Sequence, residues 1–340
     1  MDSRVAMINE ITIKNLSDKS LEKRKQASAE IVDKIQSLTT DEDLVKFITY
    51  FSMLVDDESA YKRRSGLYGI GSIAIAIYNR SNKYLKLMLN PILSAFEDRE
   101  PKVQLAACDS MFNVLKICKE HILFDEQFLK TFDKIVSVVS NPNNDVKDWG
   151  RKLIELLEDI IYGALLKNSN FDLHSLLDKI SKKLYKSKNQ DIQLVLIKWI
   201  GTLNSMTNVD ILQCIPLFIE KLFEILSTNP KHDVYEMSLN QLKTYLIDYE
   251  QYNNRSIKLD IQIMYKILKF LNKPKGYDIE KNKYFAIIWL EKFLSYFTED
   301  MMKDKDSKDN NYFSSEETFL IEDDYKFDEM TESEAESKKK

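Results

Sequence analysis

The segment DREPKVQLAACDSMFNVLKI runs from Asp98 to Ile117 and contains the pattern from which the fold of this chain follows. A polar turn leads into a β-branched anchor residue, Val103, and an amphipathic helix follows the anchor. The same unit recurs as NPNNDVKDWGRKLIELLEDI from Asn141, KSKNQDIQLVLIKWIGTLNS from Lys186 and TNPKHDVYEMSLNQLKTYLI from Thr228. Four copies of one pattern indicate a repeat protein.

The anchor residues of the four units are regularly spaced. Val103, Val146, Ile192 and Val234 lie 43, 46 and 42 residues apart. HEAT and armadillo repeats have periods of about 40 to 47 residues, and other helical repeats are shorter. Large apolar residues follow each anchor at helical spacing, which is typical of one buried helix face. The spacing therefore predicts an all-α, HEAT- or armadillo-like α-solenoid.

Each anchor is preceded by a second amphipathic stretch, so each unit is predicted to be a helical hairpin. These first helices are expected at Tyr84 to Phe96, Phe128 to Val139, Leu173 to Tyr185 and Ile211 to Leu226. Two weaker units, around Leu44 to Tyr78 and Leu259 to Phe297, extend the array, and a helix near Leu21 to Leu38 is expected to cap it. We expect about six to seven stacked hairpins with a curved binding surface.

The composition excludes several classes of protein. With 44% hydrophobic residues the chain can build a large core, which excludes a disordered or fibrous protein. It contains only 7 Gly and 6 Pro, too few for the turns of an α/β enzyme or a β-sandwich. Scarce turn residues favour helices that are joined by short polar links.

The acidic charge of the chain is concentrated near its end. Residues 303–340 contain 13 Asp or Glu and 7 Lys, a net charge of −6, whereas the whole chain has a net charge of −5. The preceding residues are therefore close to neutral, which argues against nucleic acid as a partner. We expect a repeat array over residues 1–300 and a disordered acidic tail over residues 301–340.

The residue pattern does not support a catalytic or metal site. His121, His174 and His232 lie far apart and outside HExxH or CxxC spacing. The GLYGIG motif at Gly66 lacks the strand and the later lysine or acidic residue of a nucleotide-binding loop, and close helix packing explains its glycines better. The chain has no G-x-S-x-G motif. We expect a protein without catalytic activity, metal or cofactor.

The cysteines and the apolar runs bear on the compartment. Cys108 and Cys118 lie too far apart along one predicted helix to pair, which indicates a reducing, cytosolic environment. The longest apolar run, Leu67 to Tyr78, has 12 residues, fewer than the roughly 20 needed to cross a bilayer, so it is expected to be a buried helix. Any membrane contact is expected to be peripheral.

Three basic clusters have two interpretations, an anionic lipid surface or solvated helix ends. They are Lys23, Arg24 and Lys25; Lys62, Arg63 and Arg64; and Lys182, Lys183, Lys186 and Lys188.

Several motifs extend beyond the repeat period. KRRSGLYGIGSIAIAI from Lys62 combines a basic start, glycines and alternating aliphatic residues. YLKLMLNPILSAFEDREPKVQLAACDSMFNVLKI from Tyr84 has a proline in its first helix and an Ala-Cys-Asp core in its second. Together with DVKDWGRKLIELLEDII from Asp145 and WIGTLNSMTNVDILQCIPLFIEKLFEIL from Trp199, they resemble the N-terminal half of the Vac-fourteen family of HEAT-repeat scaffolds.

The chain also departs from the pattern of that family. Ser65 stands where the family has one of its paired glycines, and Trp149 and Gly150 replace a run of small residues. The family's long C-terminal half has no counterpart here, which leaves open whether the chain is a fragment or a shortened relative.

The resemblance implies a function and partners. The family organises, without catalysis, the complex that makes and turns over phosphatidylinositol 3,5-bisphosphate on the cytoplasmic face of vacuolar and endosomal membranes. Its N-terminal repeats contribute to docking of the phosphatidylinositol 3-phosphate 5-kinase, and its C-terminal half docks an inositol-lipid 5-phosphatase. By this resemblance, partner contacts are expected at Arg63, Arg64, Asp98, Lys102, Lys147 and Asp159.

Two other functions stay open. The repeat period alone also fits a transport or coat adaptor that binds protein cargo, which would be recognised by its binding to nucleoporin repeats or to a small GTPase. An unrecognised enzyme would need a cleft with clustered polar groups of perturbed pKa, for which the sequence contains no sign.

Overall fold

The computed structural model describes residues 8–38, 40–167, 170–206, 215–228, 231–251, 257–272 and 279–305. Within these residues the chain forms α-helices and short 3-10 turns, and no β-strand. The α-helices are α1 Glu10–Leu16, α2 Leu21–Gln36, α3 Asp41–Val55, α4 Ala60–Ala76, α5 Ser81–Ala95, α6 Pro101–Cys118, α7 Phe128–Val138, α8 Asn144–Leu166, α9 Leu173–Lys186, α10 Gln190–Asn204, α11 Ile215–Leu226, α12 His232–Gln251, α13 Ile257–Leu271 and α14 Ile279–Lys305. The predicted all-α fold is confirmed.

The helices pair in the predicted order. α3 packs on α4, α5 on α6, α7 on α8, α9 on α10 and α11 on α12. The first helices of successive pairs, α3, α5, α7, α9, α11 and α13, form one layer in which each helix packs on the next. In the other layer α4, α6 and α8 pack side by side, as do α10 and α12. This arrangement of stacked hairpins is that of a HEAT- or armadillo-like solenoid.

The helix starts follow from the polar turns that precede them. The side chain of Asn143 accepts a hydrogen bond of 3.1 Å from the backbone N–H of Val146, and Asn189 caps Ile192 over the same distance. These asparagines satisfy N–H groups that have no partner inside the helix. α6 begins instead with Pro101, which has no N–H to satisfy.

All four predicted anchors are buried. Val103, Val146, Ile192 and Val234 are 0%, 1%, 9% and 1% exposed. Each is the third residue of its helix, in α6, α8, α10 and α12. The β-branched anchor therefore lies where the turn meets the core, as the repeat pattern predicts.

The N-terminal end of the array is more elaborate than predicted. The expected capping helix is α2, which packs on α4. α1, which the sequence pattern did not predict, packs on both α2 and α4. The buried hydroxyl of Ser65, on α4, donates to the carbonyl of Ile13, on α1, over 2.7 Å. Ser65 therefore helps to hold α1 in place.

α4 is buried on nearly all sides, as predicted for the apolar run that it contains. A Cβ atom at Gly66 would lie 2.7 Å from the carbonyl oxygen of Phe51, and one at Gly69 would lie 2.1 Å from the Phe51 ring. The glycines of the GLYGIG motif thus permit close packing of α4 on α3, which confirms the packing interpretation. Among the described residues, no helix combines the length and the apolar character needed to cross a bilayer.

The chain divides into two compact units, residues 1–291 and residues 292–340. The first unit contains the repeats from α1 to α13. The described part of the second unit is helical as far as Lys305. The predicted disordered tail falls, from residue 306 onward, outside the described residues, so the division at residue 300 stays a prediction.

Candidate partner-binding surface

Two of the six residues expected to contact a partner bind each other. Arg63 at the start of α4 donates from Nε and Nη2 to the carboxylate of Asp98, over 2.7 and 2.9 Å. Asp98 lies in the turn between α5 and α6. Their side chains are only 7% and 12% exposed. The pair therefore joins two successive hairpins, and little of either side chain is left for a partner.

Lys147 has a similar role farther along the array. Its Nζ lies 2.8 Å from Oδ2 of Asp191, at the start of α10. The ion pair holds the pKa of Asp191 below its usual value, with burial opposing the shift. Lys147 is the fourth residue of α8, as Arg63 is of α4. The same repeat position thus links neighbouring hairpins in both places.

The remaining three predicted residues are Arg64, Lys102 and Asp159. Lys102 and Asp159 are exposed, and Arg64 is partly buried. None of the three makes an ion pair with another described residue. The role of the six predicted residues in partner binding stays a prediction.

A different cluster lies on a partly exposed face of α4, α6 and α8. Tyr68, Asp109 and Lys152 are each the ninth residue of their helix. A hydrogen bond beside Tyr68 and Asp109 fixes how α4 and α6 are aligned. In it, the buried hydroxyl of Ser110 donates to the carbonyl of Leu67 over 2.7 Å. Tyr68 and Asp109 directly follow and precede these two residues in sequence, so they lie at the same level of the two helices.

Two aromatic residues extend the cluster from α6 to α8. Phe112 lies on the same face of α6 as Asp109, three residues later. Its ring meets that of Trp149 edge to face, with centroids 6.0 Å apart. The Nζ of Lys152 lies 4.8 Å from the centroid of the Trp149 ring, close enough for a cation–π interaction. We call Tyr68, Asp109, Phe112, Trp149 and Lys152 the α4–α6–α8 cluster.

The electrostatics of the cluster centre on Asp109. Its side chain is partly buried, and it makes no hydrogen bond or ion pair with the described residues. Burial raises the pKa of Asp109, and the positive charge of Arg24 opposes the shift. Burial, together with the charge on Asp109, also raises the pKa of Tyr68. The cluster thus contains a desolvated carboxylate beside a phenol and two aromatic rings.

The chemistry of the neighbouring groups is that of a packed interior. Cys108, beside Asp109, is fully buried, and burial raises the pKa of its thiol to about 12. A thiol with that pKa stays protonated and unreactive at neutral pH. The described residues contain no group of three or more His, Cys, Asp or Glu side chains that could hold a metal ion.

Sequence reasoning missed the cluster although a signal was present. Asp109, Lys152 and Lys198 each lie six residues after an anchor, so an alignment of the repeats places them in one row. The sequence-based prediction selected charged residues near the turns. Three of these residues, Arg63, Asp98 and Lys147, join neighbouring hairpins in the structure. Partly exposed aromatic residues, which are enriched in protein interfaces, are a further signal that the sequence contains.

Comparison with known proteins identifies the region that holds the cluster. Residues 61–159 match the family model of the Vacuolar 14 Fab1-binding region. This segment includes nearly all of α4, all of α5 to α7, and α8 as far as Asp159. All five residues of the α4–α6–α8 cluster lie inside it.

Two relatives are similar in sequence to most of this chain. The chain is 25% identical over 299 residues to the protein VAC14 homolog of Arabidopsis thaliana, covering 86% of this chain and 38% of that protein. It is 26% identical over 297 residues to the vacuole morphology and inheritance protein 14 of Saccharomyces cerevisiae, covering 76% of this chain and 33% of that protein. The chain thus spans little more than a third of these relatives.

A solved structure of a designed armadillo repeat protein is also similar, at 14% identity and a TM-score of 0.33, over 69% of this chain and 98% of that one. The family match and the relatives together agree with the motifs from Lys62 to Ile117 on which the resemblance rests. The chain is therefore similar to Vac14 proteins over most of its length, and residues 61–159 match the family model of their Fab1-binding region.

Proposed function

We propose that this chain is a non-catalytic scaffold that binds a phosphatidylinositol 3-phosphate 5-kinase through the face formed by α4, α6 and α8. The proposal rests on two features that lie in the same segment of the chain. The segment that matches a Fab1-binding region, residues 61–159, also contains the α4–α6–α8 cluster. In this proposal the chain contributes a binding surface and its geometry, and the kinase performs the reaction.

The construction of this segment suits a binding platform. Residues that carry most of the binding energy in protein interfaces are enriched in Trp, Tyr and Arg. Tyr68 and Trp149 are partly exposed on one face, with Arg64 one helical turn before Tyr68. At the start of α4 and in the turn before α6, the Arg63–Asp98 pair joins neighbouring repeats. A surface that is ordered before binding loses less conformational entropy when the partner docks.

We also propose that the complex turns over as well as makes phosphatidylinositol 3,5-bisphosphate, with an inositol-lipid 5-phosphatase as a further member. The family resemblance assigns docking of the phosphatase to the C-terminal half of that family.

Membrane association is proposed to be peripheral and to depend mainly on the partner. Many of the basic residues that could face lipid are already paired within the chain. Lys62 lies 3.0 Å from Asp57, Lys182 lies 2.6 Å from Asp178, and Lys183 lies 2.7 Å from Asp133. These contacts favour the interpretation of the basic clusters as solvated helix faces. We propose the cytoplasmic face of vacuolar or endosomal membranes as the place of action.

A direct binding experiment tests the proposal. The purified full chain is immobilised and titrated with the purified 5-kinase of the same organism, and with nucleoporin repeats and a small GTPase as alternative ligands. We expect the chain to bind the kinase saturably and to bind neither the nucleoporin repeats nor the small GTPase. Binding of nucleoporin repeats or of the GTPase, without the kinase, would favour the transport or coat adaptor.

A pair of variants locates the surface. Trp149→Ala is expected to weaken kinase binding about tenfold or more, because large aromatic residues at the centre of an interface are common hot spots. Tyr284→Ala is the matched control, since Tyr284 is an exposed aromatic residue, 67% exposed, outside the matched segment. Thermal melts of both variants show whether they are folded. Equal binding by both variants and the unmodified chain would place the kinase elsewhere.

A further inference from the structure

We infer that Asp109 and the aromatic side chains around it form a receptor for an arginine side chain of the bound partner. This inference rests on the proposed function and deepens it, because it states the chemistry that the kinase must present at this surface. The argument depends on where Asp109 lies, on what surrounds it and on where the neighbouring cations are engaged.

The position of Asp109 is held by close packing of α4 on α6. The hydrogen bond from Ser110 to Leu67 sets the register of the two helices at this level. A Cβ atom at Gly71 would lie 3.3 Å from both the Ser110 hydroxyl and the Asn113 side-chain nitrogen, so the helices approach closely there. The backbone that carries Asp109 is therefore fixed, and its carboxylate is presented on the α4–α6–α8 face in a defined place.

The basic group whose charge affects the pKa of Asp109 has other hydrogen-bond partners. Arg24 on α2 lies close enough to affect the pKa of Asp109, but its Nη1 donates to the carbonyls of Asp18 and Lys19, over 2.9 and 3.1 Å. Lys152 on α8 lies above the Trp149 ring. A partly buried carboxylate without an ion-pair or hydrogen-bond partner is unfavourable in the free chain. A cation supplied by the partner would relieve this cost.

The surroundings favour arginine over lysine as that cation. Tyr68 lies beside Asp109 on α4, and Phe112 lies one helical turn farther along α6, with the Trp149 ring next to it. A guanidinium is planar, stacks on aromatic rings and can donate two parallel hydrogen bonds to one carboxylate. An ammonium is more strongly hydrated and forms only point contacts. The set of one carboxylate and three aromatic rings therefore matches arginine.

The test compares two variants that remove one negative charge each. Asp109→Asn removes the proposed receptor charge, and Glu126→Gln removes an exposed charge in the turn before α7 within the same matched segment. Binding of the purified kinase to each full chain is measured at several salt concentrations, with thermal melts in parallel. We expect Asp109→Asn to weaken binding at least tenfold, to flatten the salt dependence and to melt no lower than the unmodified chain. Binding by Glu126→Gln is expected to stay within twofold of the unmodified chain.

Charge exchange keeps the inference testable if Asp109→Asn loses stability. Asp109→Arg is expected to abolish binding, and an Arg→Asp change at one arginine of the kinase is expected to restore it. Failure of every such kinase variant to restore binding would overturn the inference. So would kinase binding by Asp109→Asn that stays within twofold while Trp149→Ala weakens it. Absence of binding by the unmodified chain would instead defeat the proposed function itself.

Discussion

Arg63 and Asp98 are 35 residues apart in sequence, and their side chains form a two-point ion pair between the first turn of α4 and the turn that precedes α6. The remaining guanidinium nitrogen, Nη1, donates to the carbonyls of Asp57 and Glu58, over 3.1 and 2.8 Å. Arg63 thus joins three segments: its own helix, the turn before it and the next hairpin. The pair orients one repeat on the next, which a scaffold requires.

Removal of one member of this pair is expected to destabilise the chain strongly. Asp98→Ala should lower the free energy of unfolding by about 3 kcal/mol, because Arg63 is left buried without its counter-ion. The measurement is denaturant unfolding followed by circular dichroism. Lys86→Ala, which removes an exposed ion pair with Glu126, serves as control and is expected to change the free energy by less than about 0.5 kcal/mol.

A further variant, Arg63→Ala, examines the sequence-based hypothesis that Arg63 contacts a partner. An Arg63→Ala chain that melts like the unmodified protein but binds the kinase weakly would support direct contact. A chain that loses stability first would support the structural role that the contacts indicate.

Gly66→Ala is expected to lower the free energy of unfolding by about 2 kcal/mol. The new methyl group would lie 2.7 Å and 2.8 Å from backbone atoms of Phe51 and Val55, which cannot move without shifting α3. Gly71→Ala is the matched control on the same helix. Its nearest neighbours are side-chain atoms at 3.3 Å, and alanine has a better helix propensity than glycine. A larger loss in Gly71→Ala than in Gly66→Ala would contradict the packing argument.

Lys119→Gly is expected to stabilise the chain by about 1 kcal/mol. Lys119 directly follows α6 and has a φ of 44° and a ψ of −126°. This conformation is unfavourable for a residue with a Cβ atom, whereas glycine adopts it without steric cost. The control is Lys116→Gly, an exposed residue inside the last turn of α6, which should cost about 0.5 to 1 kcal/mol. Thermal unfolding should therefore move in opposite directions for two identical substitutions three residues apart.

Glu158 is expected to make stability depend on pH. Its Oε1 atom on α8 is buried without a hydrogen bond, and burial raises its pKa above the ordinary value of 4.5, with Lys198 opposing the shift. The folded chain therefore holds this proton more tightly than the unfolded chain. The destabilising contribution is absent below pH 4.5, grows as pH rises through that value and is complete above the pKa of the folded state.

It follows that Glu158→Gln should raise the free energy of unfolding at pH 7 by up to about 1 kcal/mol, and that the gain should shrink toward pH 4.5. Urea unfolding at a series of pH values measures both effects. Glu155→Gln, an exposed residue on the same helix, should change the free energy by less than about 0.5 kcal/mol. A gain in Glu158→Gln that persists unchanged at pH 4.5 would show that its origin is not the buried charge.

Local patterns in the sequence determined the repeat architecture. Turn residues, helical periodicity and the spacing of Val103, Val146, Ile192 and Val234 each depend on residues close together in the chain, so they predict where every hairpin begins. The same local reading correctly interpreted the glycines of α4 as packing residues. It missed α1, whose 7 residues are too few for a clear helical period.

Only the tertiary structure decided what the charged residues do. Arg63 and Asp98, or Lys147 and Asp191, become partners through the register of one hairpin on the next, which no local pattern contains. Asp109 makes no hydrogen bond or ion pair with the described residues for the same reason. The packing of the helices decides which cations lie close to its carboxylate. Helices follow from short-range periodicity, whereas pairing and burial of charge follow from contacts between residues about forty positions apart.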